Sequence, residues 1–199
     1  CALINASGGE AIDLGIAPDD ADGLMAMAAG ARGADLLVTI GGASVGDHDL
    51  IQSVLGEKGL EVDFWRIAMR PGKPLIFGHF GDVPMLGLPG NPVSALVCGL
   101  VFLKPAIAAL LGANAPGLET RSAVLSGDLG QNDQRQDYLR ATTTKDARGN
   151  LVVTPFGKQD SSMLSRLARA DALILREPHA PAVKAGDAVD IIDLGPLGY

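Results

Sequence analysis

The chain has 199 residues, of which 47% are hydrophobic and 20% are charged, and this composition excludes an intrinsically disordered chain. A length of this order accommodates one or two globular domains. With 16 basic and 23 acidic residues the net charge is −7, and no lysine- or arginine-rich run is present, so the electrostatic footprint of a nucleic-acid or anionic-membrane surface is missing. Any anionic ligand must therefore be held by local groups.

The first part of the chain, residues 1–112, alternates short apolar runs with helical patterns. Alternation of this kind is typical of a three-layer α/β/α domain, in which helices cover both faces of a mostly parallel sheet. The predicted elements are strands over 10–17, 35–40 and 61–69 and helices over 19–32 and 49–59.

A hairpin and a long helix complete this first domain. The runs PLIFGHF and VPMLGLP flank a Gly-Asp pair at 81–82, which predicts two antiparallel strands. Asn91 can cap the helix that follows, Pro92 fits its first position, and apolar residues continue to Leu111. Pro105 is expected to kink or split this helix.

The cysteines and the apolar runs bear on where the protein resides. Cys1 and Cys98 are far apart in the sequence, and Cys98 lies in an apolar helical pattern typical of a buried residue, so we expect a reducing, cytoplasmic compartment. The longest apolar run, Val93–Leu103, has about eleven residues against the roughly 18 to 20 of a membrane span, and no membrane segment is predicted. Because the chain begins without Met or a signal peptide, inside a helical pattern, we expect a piece of a longer protein.

The composition changes after the Gly/Ala/Pro-rich stretch GANAPGLET. The runs that follow, such as SAVLSG, GNLVVTPFG and DAVDIIDL, are short, β-branched and separated by turn residues, which predicts a small β-barrel or sandwich. We therefore place a first domain at 1–112, a linker at 113–118 and a second domain at 119–199.

A glycine-rich stretch, TIGGASVGDHDL at 39–50, directly follows a predicted buried strand. In open parallel sheets, ligands bind beyond the carboxyl ends of the strands. Gly41, Gly42 and Gly46 allow the backbone to approach a ligand closely, and Ser44 offers a hydroxyl group. The pattern favours a phosphate-binding loop.

Two carboxylates, Asp47 and Asp49, lie within the same stretch and would repel a phosphate dianion. A divalent cation between them would remove that repulsion, because Mg²⁺ takes one or two carboxylates together with phosphate oxygens and waters. Taken singly, either aspartate can instead be a helix cap. Together with the glycines and the serine, the two aspartates favour a magnesium site.

Cations are concentrated in the run FWRIAMRPGKP. Arg70 and Lys73 bracket Pro71 and Gly72, and Arg66 follows the preceding strand. Arginine can bind phosphate or another oxyanion through two donors at once, whereas lysine acts as a point charge. Solvated surface cations are the alternative interpretation, but the two prolines make the turn rigid and favour a binding role.

Two further helix starts can be read in either of two ways. The run GLPGNPVSA at 87–95 opens onto a helix N-terminus, which suits an anion, although Asn-Pro is also an ordinary helix start. Asp19 and Asp20 open a helix, where compensation of the helix dipole is sufficient explanation by itself. The three histidines show no metal-ligand spacing and receive no role.

In this order and spacing, IGGASVGDHD, FWRIAMRPGKP and GLPGNPVSA resemble the molybdopterin molybdotransferases, the MoeA/gephyrin E-domain family of molybdenum cofactor biosynthesis. Residues 1 to about 112 resemble the molybdopterin-binding α/β/α domain of that family, and residues 117–199 resemble its C-terminal β-barrel domain. The resemblance implies insertion of molybdate into the dithiolene of adenylylated molybdopterin, with Mg²⁺ and release of AMP. It also implies a homodimer, with the molybdopterin adenylyltransferase of the preceding step as a candidate partner.

Site residues follow from the resemblance by position. It implies catalytic roles for Asp19, Asp49, Arg66, Arg70 and Lys73, the two arginines standing where many members have lysines. Asp47 and Asp49 are the predicted metal ligands. The runs RQDYLRA and GKQDSSML resemble the signature of the second domain. The predicted cofactor-binding residues are Gly41, Gly42, Ser44, Gly46, Pro71, Gly72, Pro89, Gly90, Asn91, Pro92, Ser94, Ser161 and Ser162.

One departure from the family concerns the extent of the chain. The N-terminal half of the family is missing, including a linker domain whose acidic residues face this site across a homodimer, so we expect the chain alone to be inactive. Two alternatives stay open. One is a molybdopterin adenylyltransferase-like nucleotide-binding enzyme, which usually carries a GGTG-type loop, and the other is a non-catalytic, gephyrin-like scaffold module that binds a peptide.

Overall fold

The computed structural model describes residues 1–18, 20–41, 60–114 and 117–195. The chain divides into two compact units. Unit 1 comprises Cys1–Ile67 and Gly72–Pro116, and unit 2 comprises Ala68–Pro71 and Gly117–Tyr199. The four residues Ala68–Pro71 thus belong to unit 2 although unit 1 contains the residues on either side of them.

Unit 1 has four α-helices and four strands among the described residues. The helices are α1 (Ala2–Ala6), α2 (Ala21–Ala29), α3 (Pro92–Cys98) and α4 (Lys104–Leu110), with a π-helical turn at Gly99–Leu103. The strands are β1 (Leu37–Ile40), β2 (Leu60–Trp65), β4 (Ile76–Phe80) and β5 (Val83–Leu88).

Unit 2 consists mainly of strands. These are β3 (Met69–Arg70), β6 (Arg121–Leu125), β7 (Gln136–Lys145), β8 (Leu151–Pro155), β9 (Ala172–Arg176) and β10 (Ala188–Asp193), and the short helix α5 spans Leu164–Leu167.

The described strands of unit 1 form a sheet in the order β1-β5-β4-β2. β1 and β5 are parallel, while β4 is antiparallel to both β5 and β2. The α/β class is therefore confirmed, and so is the hairpin around residues 81–82, which joins β4 to β5. This hairpin makes two of the three pairings antiparallel, a larger share than the alternating pattern predicts.

Two predicted strands differ from the structure. The strand predicted over 10–17 is wrong, because residues 9–18 form neither helix nor strand and no described strand pairs with them. Its apolar residues are not buried: Ile12 is 72% exposed and Ile16 is 95% exposed. The strand predicted over 61–69 ends at Trp65, because Arg66 has a φ of 65° and turns the chain out of the extended conformation.

The long helix begins as predicted. The Oδ1 atom of Asn91 accepts hydrogen bonds from the backbone N–H groups of Val93 (3.1 Å) and Ser94 (3.3 Å), and Pro92 occupies the first turn. The α-helical hydrogen bonding is interrupted by the π-helical turn just ahead of Pro105, which lacks an N–H group. The predicted helix over 49–59 lies outside the described residues.

Among the described residues, one helix, Pro92–Leu110, is long and apolar enough, by length and composition, to cross a membrane. About half of this helix is buried inside the protein. Val93, Val97 and Leu100 have no exposed surface. A core helix of a globular protein meets the same criterion.

The strands of unit 2 close into a barrel. The strand order β7-β8-β6-β10-β9 returns to its start through the pairing of β9 with β7, which gives five strands and confirms the predicted C-terminal β-barrel. β3 extends the barrel by pairing with β7 in parallel, Arg70 opposite Asp137. Leu125, Ala141 and Ile174 are among the residues that fill the barrel core.

We predict that Gly78→Ala lowers the free energy of unfolding by about 1 to 3 kcal/mol, as expected for overpacking in a well-packed site. A Cβ atom at Gly78 would lie 2.1 Å from the backbone oxygen of Glu61 on β2, so β2 and β4 would have to separate. Urea denaturation measures the change. Gly127→Ala, where a Cβ meets nothing within 4 Å, is the control, and equal losses in both variants would contradict the prediction.

Candidate functional site

Several predicted site residues lie at the side of the unit 1 sheet where β1, β5 and β2 end and β4 begins, which we call the strand-end edge. Thr39, Gly87, Ile76 and Trp65 lie side by side across β1, β5, β4 and β2. β1, β5 and β2 run in the same direction, so their carboxyl ends and the start of β4 share this edge, which spans roughly 15 Å at the usual strand spacing. The predicted site residues that follow or precede these strand ends are Gly41, Arg66, Gly72, Lys73, Pro89, Gly90, Asn91 and Pro92.

The loops after β1 and β5 touch through their glycines. Gly41 has a φ of 88°, and its N–H group donates to the carbonyl of Leu88 at 3.0 Å. A Cβ atom at Gly90 would lie 3.2 Å from the Cα atom of Gly41. Glycine at 41 and 90 therefore permits the two loops to approach each other, a requirement of the fold that exists whether or not a ligand is bound.

Asn91 and Ser94 lie at the start of α3. Asn91 uses its side-chain oxygen to cap the helix, and Ser94, which is 6% exposed, donates its backbone N–H to that oxygen. Both residues thus have a structural role here. Their predicted role in cofactor binding, together with that of Pro92, stays a prediction.

Arg66 and Lys73 are exposed cations at the same edge. The guanidinium carbon of Arg66 lies 3.6 Å from the ring centroid of Trp65. The backbone N–H of Arg66 donates to Leu75 (3.1 Å), and that of Ile67 donates to Lys73 (3.0 Å). These two hydrogen bonds join the start and the end of the segment 66–75, so the backbones of Arg66 and Lys73 lie close to each other.

Gly72 is buried within the same turn, and its carbonyl accepts from the Cys98 thiol at a sulfur–oxygen distance of 3.9 Å. Burial raises the pKa of Cys98 to about 12, so the thiolate is not formed at neutral pH. Cys98 is therefore the buried, inert residue that the sequence predicts.

Arg70 belongs to unit 2 and its guanidinium is engaged there. It donates to the carboxylate of Asp137, to Asp133 at 3.2 Å and, at 3.5 Å, to Asn132. Arg135 also binds Asp133, and its hydrogen bonds, with the charge of Arg70, lower the pKa of that carboxyl to about 2. The proposed oxyanion role of Arg70 stays a prediction, and the structure gives this residue a set of protein acceptors.

Asp137 is buried between two arginines on neighbouring strands. It lies opposite Arg70 on β3 and opposite Arg176 on β9, and it is 3% exposed. Its Oδ1 atom has no hydrogen-bond partner in the described part of the chain. Arg176 directs its own donors to backbone carbonyls, including that of Gly130 at 3.1 Å. Arg70 is therefore the residue whose hydrogen bond compensates the buried charge of Asp137.

The predicted residues Ser161 and Ser162 lie beside a buried arginine that sequence reasoning missed. Arg140 is 1% exposed, and it donates to the side chain of Gln159 (3.2 Å) and to the carbonyl of Asp160 (2.9 Å). Its Nη2 atom is buried and has no hydrogen-bond partner within the described ranges. The signal was present in the run RQDYLRA, where Arg140 interrupts a stretch with strand character.

A second arginine adds positive charge at this point of unit 2. Burial, together with the charge of nearby Arg166, lowers the pKa of Arg140, while the carboxylate of Asp160 opposes the shift. The N–H of Ser162 donates to that carboxylate at 2.8 Å. Arg140 and Arg166 therefore both donate to the backbone of the segment 158–162, which itself contains the carboxylate of Asp160, and the unpartnered Nη2 atom of Arg140 leaves capacity to bind an anion.

Several predicted site residues cannot be placed. Asp19, Gly42, Ser44, Gly46, Asp47 and Asp49 lie outside the described residues. Within the residues that are described, no group of three or more histidine, cysteine, aspartate or glutamate side chains could hold a metal ion.

Two family models match the chain. The model described as "Probable molybdopterin binding domain" covers residues 1–109, and the model described as "MoeA C-terminal region (domain IV)" covers residues 122–194. Together they include most of both units.

Curated relatives and a solved structure agree with these matches. A molybdopterin molybdenumtransferase of Haemophilus influenzae is 38% identical over 92% of this chain and 45% of the relative, and one of Bacillus subtilis is 33% identical over 79% and 36%. The crystal structure of a molybdopterin biosynthesis MoeA protein from Pyrococcus horikoshii has a TM-score of 0.76 at 30% identity, covering 96% of this chain and 46% of that one. The chain thus spans less than half the length of these relatives.

We predict that Arg70→Ala lowers the free energy of unfolding by about 1 to 3 kcal/mol, because it removes the salt bridge and the hydrogen bond that Arg70 forms with the buried carboxylate of Asp137. Thermal and urea denaturation measure the loss. The double variant Arg70→Ala/Asp137→Ala should lose less than the sum of the two single variants. Arg135→Ala, which breaks a pair with the more exposed Asp133, is the control, expected to cost under about 1 kcal/mol. A melting temperature of Arg70→Ala equal to that of the wild type would contradict the prediction.

Proposed function

Since this chain belongs to the family that joins a molybdopterin-binding domain to a MoeA-type C-terminal region, we propose that it is part of a molybdopterin molybdotransferase. The proposed reaction inserts molybdate into the dithiolene of molybdopterin, supplied as the adenylylated form, with Mg²⁺-dependent release of AMP. The observation that carries the proposal is the gathering of two cationic residues and two glycine loops at one edge of the unit 1 sheet.

The cations at this edge are the proposed binding groups for oxyanions. Arg66 and Lys73 are both exposed, and the protein as a whole has a net charge of −7, so a phosphate or molybdate needs a local excess of positive charge. The planar guanidinium of Arg66 can donate two parallel hydrogen bonds, and the ammonium of Lys73 supplies a point charge. The two residues together suit a ligand with more than one anionic group.

The loops after β1 and β5 are the proposed binding segments for the pterin phosphate. Gly41 and Gly90 allow these loops to approach at the strand ends, where the N–H of Gly41 donates to the carbonyl of Leu88. Backbone N–H groups at such positions can bind a phosphate without adding side-chain bulk. We assign Gly42, Ser44 and Gly46 to the same role on sequence alone.

A separate group of donors in unit 2 is proposed to bind an anionic part of the substrates. The buried Nη2 atom of Arg140 is a donor without a protein partner among the described residues, and a buried donor of this kind is costly unless a ligand or water accepts from it. Ser161 and Ser162 adjoin the carbonyl that Arg140 already binds. Their hydroxyl groups would add donors to the same anion.

Asp47 and Asp49 are proposed to hold the Mg²⁺ ion, because carboxylate oxygens are the side-chain ligands that this hard cation prefers. When bound, Mg²⁺ neutralises phosphate charge and polarises the phosphoryl oxygen. Asp19 is proposed as a further acid of the active site. These three assignments rest on the sequence pattern and on the family.

Assembly and location are also proposals. A homodimer, a cytoplasmic location and a molybdopterin adenylyltransferase as the partner that supplies substrate are what the family implies. Because the relatives are more than twice as long as this chain, the experiments below measure ligand binding and do not require turnover.

We predict that molybdate and AMP bind to the 199-residue chain, and that Arg66→Ala and Lys73→Ala each weaken binding about tenfold, since each removes a charge-assisted hydrogen bond. Isothermal titration calorimetry gives the affinities. Arg32→Ala is the matched control, because Arg32 is an exposed arginine that precedes β1 and so lies toward the opposite edge of the sheet. Equal affinities in all four proteins would contradict the proposal, and binding of a peptide in place of both ligands would favour a scaffold module.

A further titration addresses the metal. Mg²⁺ should strengthen the binding of AMP to the wild type, and Asp49→Asn should remove that gain, because an amide is a weaker ligand for the cation. The Mg²⁺-free affinity should not fall, because the substitution removes a carboxylate that repels phosphate. Asp82→Asn, in the exposed hairpin turn between β4 and β5, is the control. If Asp49→Asn kept the full effect of Mg²⁺, Asp49 would not be a metal ligand.

A further inference from the structure

Arg66 lies over the aromatic ring of the residue that directly precedes it. Its guanidinium carbon is 3.6 Å from the centroid of the Trp65 ring, the distance of a face contact. Trp65 ends β2 opposite Ile76 and packs against the buried cluster that includes Leu37 and Met85. The indole therefore joins the core of unit 1 to an exposed cation.

The backbone conformation of Arg66 makes this contact possible. Successive side chains on an extended strand point to opposite faces, so a residue cannot normally stack on its immediate neighbour. The φ of 65° at Arg66 ends that alternation, a conformation that an arginine adopts only at a cost in free energy. The hydrogen bonds from Arg66 to Leu75 and from Ile67 to Lys73 stabilise it on both sides.

The two arginines of FWRIAMRP have different surroundings. Arg70 donates to Asp133 and Asp137, whereas no carboxylate among the described residues forms a salt bridge with Arg66. Stacking uses the face of a guanidinium and leaves the N–H donors in its plane available. An arginine held in this way presents its donors to an oxyanion without first losing side-chain freedom.

We propose that Trp65 is a positioning residue, whose ring holds the Arg66 guanidinium ready for an oxyanion at the strand-end edge of unit 1. The inference rests on the oxyanion-binding role of Arg66 under the proposed function, and adds to it a residue that acts through Arg66. It also gives a reason for an arginine at a position where the family resemblance implies a lysine in many members, since a planar guanidinium stacks on an indole better than an ammonium does.

Trp65 is the single tryptophan of the chain, so indole fluorescence reports on this ring alone. Titration of the wild type with molybdate or inorganic phosphate should change the emission to saturation, at concentrations that match the calorimetric affinity. Arg66→Ala should show no saturable change. An emission that saturating molybdate leaves unaltered in the wild type, or alters equally in Arg66→Ala, overturns the proposal.

Substitution of the ring gives a second measurement. Trp65→Leu should weaken molybdate binding about 2- to 5-fold, the range of an exposed cation–π contact, and Trp65→Phe should restore most of the affinity. A ring of purely structural importance would lower stability in Trp65→Leu without this selective rescue of binding. Circular dichroism and urea denaturation establish that each variant is folded.

The outcomes separate the inference from the proposed function. If Arg66→Ala binds molybdate as the wild type does, the role of Arg66 itself is wrong and the inference is overturned with it. If Arg66→Ala weakens binding while Trp65→Leu and Trp65→Phe bind as the wild type, the positioning role is overturned and the proposed function stands. Should Trp65→Leu fail to fold, the fluorescence titration of the wild type and of Arg66→Ala decides.

Discussion

The register of the unit 1 sheet is the constraint on which the candidate site depends. Thr39, Gly87, Ile76 and Trp65 are neighbours across four strands, and the strands that carry three of them run in the same direction. The loops that follow β1, β5 and β2 therefore start at the same edge, where β4 begins. A slip of one residue in one strand would move every side chain of that strand to the opposite face and would displace the loop that follows it, so the core and the site are specified together.

Two local features adapt this edge to its proposed role. Glycine at 41 and 90 favours the close approach of the loops after β1 and β5, because Gly41 has a φ of 88° and a Cβ atom at Gly90 would lie only 3.2 Å from the Cα atom of Gly41. Arg66 adopts a left-handed conformation, so β2 ends there and the next residues leave the sheet. The segment Ala68–Pro71 then belongs to unit 2, where Met69 and Arg70 pair with the barrel strand β7. The cationic run thus serves both units, with Arg66 and Lys73 in one and Arg70 in the other.

The sequence predicts the features that depend on near neighbours. The hairpin at 81–82 and the Asn91 cap each follow from a few adjacent residues, and both are present. The strand predicted over 10–17 fails because alternation indicates a suitable strand but cannot supply the partner that its backbone needs. The acceptors of Arg70 lie more than sixty residues away in sequence, so no local pattern could reveal them. The run RQDYLRA marks Arg140 as an unusual residue for a strand, but its hydrogen-bond acceptors come from a later segment, so the run by itself could not show what Arg140 binds.

The positions of the arginines suggest how an acidic protein can bind acidic ligands. An arginine whose N–H groups all donate to carboxylates has few donors available for an anionic ligand. Arg70 is close to this condition because it forms salt bridges with Asp133 and Asp137. Arg66 is instead held by an aromatic face, which restrains the side chain without neutralising its charge. The side chain of Arg140 is also restrained, in this case by burial, and its Nη2 atom has no protein partner among the described residues. An oxyanion site requires a guanidinium whose side-chain conformation is restrained but whose charge is not neutralised by a carboxylate. Binding then costs little side-chain entropy, and the full positive charge is available to the ligand.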